Sequence, residues 1–89
     1  MVYEKLQYNS EILKVIAHPV RLCIIRKLIK RPCNVSEMHT CLEKPQSTVS
    51  QHLAKLRTAG IIQGERQATQ VCYHVINEQV KEIIRVLFT

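Results

Sequence analysis

Gln46-Ser47-Thr48-Val49-Ser50-Gln51-His52-Leu53-Ala54-Lys55-Leu56-Arg57 is the stretch on which the reading of this chain turns. Val49, Leu53 and Leu56 recur at helical spacing, so one stripe of a helix faces a core while the opposite stripe carries hydroxyls, amides and a lysine. Thr48, Gln51 and Lys55 lie along that polar face, flanked by Ser47 and Ser50. Short neutral hydrogen-bonding groups near a helix N-terminus suit phosphates and base edges. A helix that is merely solvated usually carries more Glu and Lys pairs.

The residues on either side give the helix its setting. Upstream, Asn34-Val35-Ser36-Glu37 has the spacing of a capping box, with Asn as the cap and Glu three residues on. A short helix follows, with Val35, Met38 and Leu42 as its buried stripe, and Lys44-Pro45 closes it. Two short helices joined by a tight turn, the second with a polar face, form a helix-turn-helix pattern. Downstream, Gly60 sits where a helix C-terminus needs a left-handed residue. Val71, Tyr73 and Val75 then alternate with Cys72 and His74, which predicts a strand. Paired with 61–65, it makes a hairpin around Arg66-Gln67-Ala68-Thr69. A hairpin in this place is a wing, with Arg66 at its tip in reach of a phosphate or the minor groove.

Two helices precede this unit and one follows it. Residues 3–17 read as a helix with Leu6, Leu13, Ile16 and Ala17 as an apolar stripe available to a partner subunit. His18-Pro19 marks a boundary, with His18 a structural cap, because proline disfavours helical geometry before it and suits the first position of the next helix. That next helix, 19–30, turns Leu22, Ile25, Leu28 and Ile29 inward and Arg21, Arg26, Lys27 and Lys30 outward. Asn77 reads as the N-cap of a last helix to about Phe88, with Val80, Ile83, Ile84, Leu87 and Phe88 apolar. So wide a stripe on so small a domain is best covered by a second subunit.

Composition narrows the function class. Apolar residues make up 46% of the chain and charged residues 22%, which suits a globular chain, and no apolar run is long enough to span a bilayer. Met1-Val2-Tyr3-Glu4-Lys5 leads into mixed polar sequence instead of an apolar secretory region, so a cytoplasmic location is expected. A net charge of +6 and a pI near 9.4 favour a polyanionic partner. Catalytic residues are not expected. The chain has no aspartate, Gly-rich phosphate loop, paired carboxylates or nucleophile with a nearby base. Cys23, Cys33, Cys41 and Cys72 form no CxxC pair, which argues against a zinc ribbon or a secreted disulfide scaffold.

Two long motifs carry a family resemblance: Leu13-Lys14-Val15-Ile16-Ala17-His18-Pro19-Val20-Arg21-Leu22, and Gln46 through Leu56 together with Ala59-Gly60-Ile61-Ile62. With Tyr73 and Asn77-Glu78-Gln79-Val80, and over about residues 11–84, the chain resembles the ArsR/SmtB family of bacterial winged helix-turn-helix repressors. The resemblance implies a homodimer that binds an inverted-repeat operator in double-stranded DNA and leaves it on sensing a metal or an oxidant. It also exposes departures. Where the arsenic- and cadmium-sensing branch has Cys-Val-Cys, this chain has Asn34-Val35-Ser36. Where the zinc-sensing branch has Asp and His at the start of its last helix, this chain has Asn77 and Gln79. The oxidant-sensing branch has a cysteine in its last helix, and here that helix has none. Ala68 stands where the wing usually turns on Gly.

The expectation is a fold that is mainly α with a small β-hairpin: a dimeric winged helix-turn-helix of order α-α-α-α-β-β-α, with residues 1–89 in one domain. Gln46, Ser47, Thr48, Ser50, Gln51 and Lys55 are the candidate DNA contacts. Arg57 and Arg66 lie on the backbone, and His52 is a packing or phosphate-positioning residue. No cofactor, metal ligand set or membrane partner is expected. The alternative is a metal-responsive repressor using Cys72 and His74, or Cys33, His39 and Cys41, with a borderline-soft ion such as zinc. Signal reading by cysteine oxidation is expected to use Cys23 and Cys41. Cys33 and Cys41 bracket an intact helix at about 12 Å, too far for a disulfide. Cys23 and Cys41 are equally distant from the turn at Pro32 and can meet if their helices pack back to back.

Overall fold

Eight elements follow one another in the computed structural model, which describes residues 2–89 apart from the side chains of Thr40 and Cys41. They are α1 (Val2–Ile16), α2 (Pro19–Lys30), β1 (Cys33–Asn34), α3 (Val35–Leu42), α4 (Gln46–Thr58), β2 (Ile62–Gln67), β3 (Gln70–Val75) and α5 (Glu78–Leu87). The expected order of helices and hairpin is present, with β1 as an unanticipated addition. Cys33 and Asn34 pair antiparallel with Tyr73 and Cys72, so the hairpin becomes a three-stranded sheet of order β1-β3-β2. A two-residue strand has no periodicity of its own to read.

Helix α2 is the centre of the core. Ile24 and Ile25 are completely buried and Leu28 nearly so, and α2 touches α1, α3, α4, α5 and β3. The facing of α2 differs from expectation: Ile24 takes the buried position while Ile29 remains 38% exposed, and Arg21 and Lys27, expected outward, are half-buried. Its start is built as the sequence indicated, with Pro19 in the first turn and the His18 side chain accepting from the Val20 N–H at 3.1 Å. Proline at this position loses no helical hydrogen bond.

In α1 the apolar residues divide between two faces. Ile12 and Ile16 are buried, whereas Leu6, Leu13 and Ala17 of the expected stripe are exposed, Leu6 by 60% and Leu13 by 51%. Positions 12 and 16 are one helical turn apart and share the inward face, and 6 and 13 share another. The last helix divides the same way: Val80 and Ile84 are buried and Ile83 is half-buried, while Val86, Leu87 and Phe88 face outward. Arg26 of α2 lies over the Phe88 ring at 4.4 Å from its centroid, a cation–π contact that holds the end of α5.

The caps are formed by the residues the sequence singled out. Asn34 accepts from the Glu37 N–H while the Glu37 carboxylate accepts from the Asn34 N–H, a complete capping box. Asn77 accepts from the Val80 N–H at the start of α5. After α4 the Ile61 N–H reaches the Leu56 carbonyl and the Gly60 N–H the Arg57 carbonyl, with Gly60 at φ +76°. These bonds are the pair that close a helix on a left-handed glycine.

Candidate nucleic-acid interface

Val49, Leu53 and Leu56 bury one side of α4 in the core. Their burial turns Gln46, Ser47, Ser50, Gln51, Lys55 and Arg57 to solvent, with Thr48 and His52 half-buried at the edges. The N-terminus of α4 begins after Pro45, and among the described residues no side chain caps it. Its first N–H groups therefore stay available to an external acceptor, and the helix dipole favours an anion there. The helix contains no acidic residue, so nothing on it repels a phosphate.

The turn leading into α4 is held in a conformation few residues adopt. Glu43 caps α3 at φ +56° and donates its N–H to the His39 carbonyl, while the His39 ring bonds the Lys44 carbonyl. These contacts fix the short connection that sets α4 across α3.

The wing departs from expectation at its end. Strands β2 and β3 pair through Gln67 and Gln70, leaving Ala68 and Thr69 as a two-residue tip with Ala68 at φ +57°. Arg66 is therefore not at the tip. It sits within β2 opposite Val71 and is exposed. The longer pairing wins because every added pair satisfies backbone groups that a four-residue loop would leave to water. The tip keeps a left-handed residue without the usual glycine.

One contact absent from the sequence reading ties these parts together. The Asn34 side-chain amide donates to the Gln70 Oε1, joining the start of α3 to the start of β3. Asn34, Ser36, Gln46, Thr69 and Gln70 line one small cleft of about 230 Å³, so the N-terminus of α4 and the wing tip border the same depression. Residues 34 and 70 are far apart in sequence, and nothing local to either predicts the pair.

His52 has a more specific environment than its position suggested. Its Nδ1 lies 3.2 Å from Nη1 of Arg21, and its ring centroid lies 4.5 Å from that of His18. A guanidinium can only donate, so Nδ1 accepts and the imidazole is neutral. Partial burial lowers the His52 pKa below its ordinary 6.5, and the nearby His18, Arg21 and Lys55 lower it further.

The cysteine and metal readings gain less from the geometry. Cys23 is half-buried and Cys33 buried, and both line a cleft of about 380 Å³ with Arg26, Lys27, Lys30 and Arg31. The Cys41 side chain lies outside the described residues, and the Cys23–Cys41 pairing with it. Cys72 and His74 share one face of β3, where the His74 ring is 3.9 Å from the Glu65 carboxylate. Among the described residues no three His, Cys, Asp or Glu side chains gather as a metal site, and no helix is long and apolar enough to cross a membrane.

Comparison with known proteins agrees with this geometry. The family profile described as bacterial regulatory protein, arsR family, matches residues 18–74. The transcriptional repressor PagR of Bacillus anthracis is 41% identical over 86 residues, which covers 96% of this chain and 86% of PagR. The PagR crystal structure superposes with a TM-score of 0.87, covering 96% of this chain and 98% of that one. Reduced HlyU from Vibrio cholerae superposes with a TM-score of 0.91 at 32% identity, covering 97% of this chain and 90% of that one.

Proposed function

The chain belongs to the ArsR/SmtB family of DNA-binding transcriptional repressors, and we propose that it acts as a homodimer that places two copies of α4 in successive major grooves of an inverted-repeat operator. The observation that carries this reading is the division of α4 into a buried apolar stripe and an exposed, acid-free polar face bordering the wing. Ser47, Thr48, Ser50 and Gln51 are too short to act at a distance, so they make base-edge and close phosphate contacts. Gln46 contacts the duplex from the first turn. Lys55, Arg57 and Arg66 supply the salt-sensitive attraction to the backbone. His52 acts from behind this face. All of residues 1–89 serve as one such domain.

Dimer formation is proposed from the surface left over after folding. Val2, Tyr3, Leu6 and Leu13 of α1 and Val86, Leu87 and Phe88 at the end of α5 are exposed apolar residues. The two helices flank a common groove of about 410 Å³ that Leu13 and Ile83 help to line. An apolar surface spread over two neighbouring helices marks a protein contact, and a second copy of the same surface gives a closed two-fold interface.

Selection of binding sites from a random duplex pool tests the proposal. The expected product is an inverted repeat whose half-site centres lie about one helical turn, ~34 Å, apart. Recovery of isolated half-sites would overturn the dimeric arrangement, and recovery of no sequence preference would overturn base reading by α4.

A further inference from the structure

Val15 lies in the last turn of α1, and its carbonyl would bond the N–H four residues on if the helix continued. That residue is Pro19, which has no N–H. The donor comes instead from Arg21, whose Nε lies 2.5 Å from the Val15 oxygen. The same guanidinium donates through Nη1 to His52 on α4 at 3.2 Å. One side chain therefore bonds both the end of α1 and the helix proposed to read DNA.

We infer that Arg21 is a positioning residue that sets the angle of α4 relative to α1, an inference that rests on α4 being the DNA-reading helix. Between these two helices lies a cleft of about 600 Å³ bordered by Tyr8, Ile12, Val15, Arg21, Ala54 and Thr58. The cleft separates part of the two helices, and Arg21 at its edge supplies directional bonds that link them. His52 is in turn seated by the His18 ring, whose Nδ1 is occupied with the Val20 N–H. Among the described residues Arg21 has no carboxylate partner, so two neutral acceptors hold it in place. The planar fork meets the two acceptors with two different nitrogens, Nε and Nη1, held in a fixed plane, whereas an ammonium offers its donors from a single point on a flexible stem.

The consequence concerns operator spacing. α1 carries part of the apolar surface proposed to join the subunits, so the separation of the two α4 helices in a dimer depends on the α1–α4 angle within each subunit. Arg21 then contributes to affinity for two correctly spaced half-sites without itself touching a base.

Arg21→Lys keeps the charge and removes the fork, and His52→Phe keeps the ring against His18 and removes the acceptor. Both are to be compared with wild type on the selected operator and on non-specific duplex, with salt titrations. The expected result is at least a 10-fold loss on the operator, no change on non-specific DNA and an unchanged salt slope. The double variant is expected to lose no more than Arg21→Lys alone, because His52→Phe removes one of the two bonds that Arg21 makes. Equal weakening on all DNA with a shallower salt slope would make Arg21 a phosphate contact and overturn the inference. A DNA-independent arm uses spin labels at exposed Gln7 of α1 and Arg57 of α4. Their distance distribution is expected to shift or broaden in Arg21→Lys, and an unchanged distribution would overturn the tether. Wild-type protein that selects no sequence would defeat the functional reading, while the label distances would still report on Arg21.

Discussion

Gly64 and Val71 approach so closely across the wing that a Cβ on Gly64 would stand 2.7 Å from the Val71 Cγ1 and 3.0 Å from the Tyr73 ring. The glycine is required by this approach, since its backbone is an ordinary strand pairing with Tyr73. Gly64→Ala is expected to cost about 1 to 3 kcal/mol through forced displacement of Val71 and Tyr73. Urea unfolding measures it, and an unchanged midpoint would show that the two side chains move aside freely.

At the wing tip the sign reverses. Ala68 holds φ +57°, a conformation that costs an L-residue about 1 to 2 kcal/mol. Ala68→Gly removes that cost but adds freedom to the unfolded chain. A net gain of up to about 1 kcal/mol is expected from thermal and urea unfolding. A loss of stability would show that the alanine methyl makes a contact worth more than the strain.

Asn34→Ala and Asn77→Ala separate capping from tethering. Each removes an N-cap and is expected to cost about 0.5 to 2 kcal/mol in stability. Asn34 also bonds Gln70 beside the tip of the wing. Only Asn34→Ala is therefore expected to speed amide hydrogen exchange in β3, and equal exchange in the two variants would remove the tether from the account.

His52 makes stability depend on pH. Its pKa is below 6.5 in the folded chain because burial and the His18, Arg21 and Lys55 charges disfavour the imidazolium. The unfolded chain therefore binds the proton more readily, and stability present above pH 6.5 is lost as pH falls toward the lowered folded pKa. His52→Phe is expected to flatten denaturation midpoints through that window. Glu37 acts further down, below its ordinary 4.5, because its bond to the Asn34 backbone and its contact with Arg31 favour the carboxylate. An NMR titration placing the His52 pKa above 6.5 would reverse the sign of its contribution to stability.

On the DNA face, Gln51→Ala is expected to cost about 1 to 3 kcal/mol on the operator and to relax its sequence preference. Arg66→Ala should weaken all duplexes alike and reduce the salt slope by about one. Quantitative binding at several salt concentrations distinguishes them. Operator affinity unchanged by Gln51→Ala would remove that residue from the reading face.

The interface test must avoid the core. Ile84, part of the apolar stripe read from the sequence, is only 3% exposed and supports the fold of its own subunit. Leu87→Glu together with Leu6→Glu changes exposed positions instead, and light scattering is expected to show monomers that keep their helical circular dichroism. A dimer that survives both substitutions would place the interface elsewhere.

Features that depend on local chemistry were legible before any tertiary contact was known. His18-Pro19, the Asn34-to-Glu37 capping box, Gly60 and Asn77 mark element boundaries because caps, proline and left-handed glycine act within a few residues. The buried stripe of α4, and hence its polar face, followed from the spacing of Val49, Leu53 and Leu56. Tertiary structure decided which of several apolar faces turns inward: Ile12 over Leu13, Ile24 over Ile29 and Ile84 over Leu87. Periodicity groups residues onto faces without ranking those faces, because burial depends on what the rest of the chain brings against each one. The same holds for β1, for Asn34 with Gln70, and for Val15, Arg21 and His52. Each joins residues whose local sequence is complete without the other, and only tertiary packing brings them within hydrogen-bond reach.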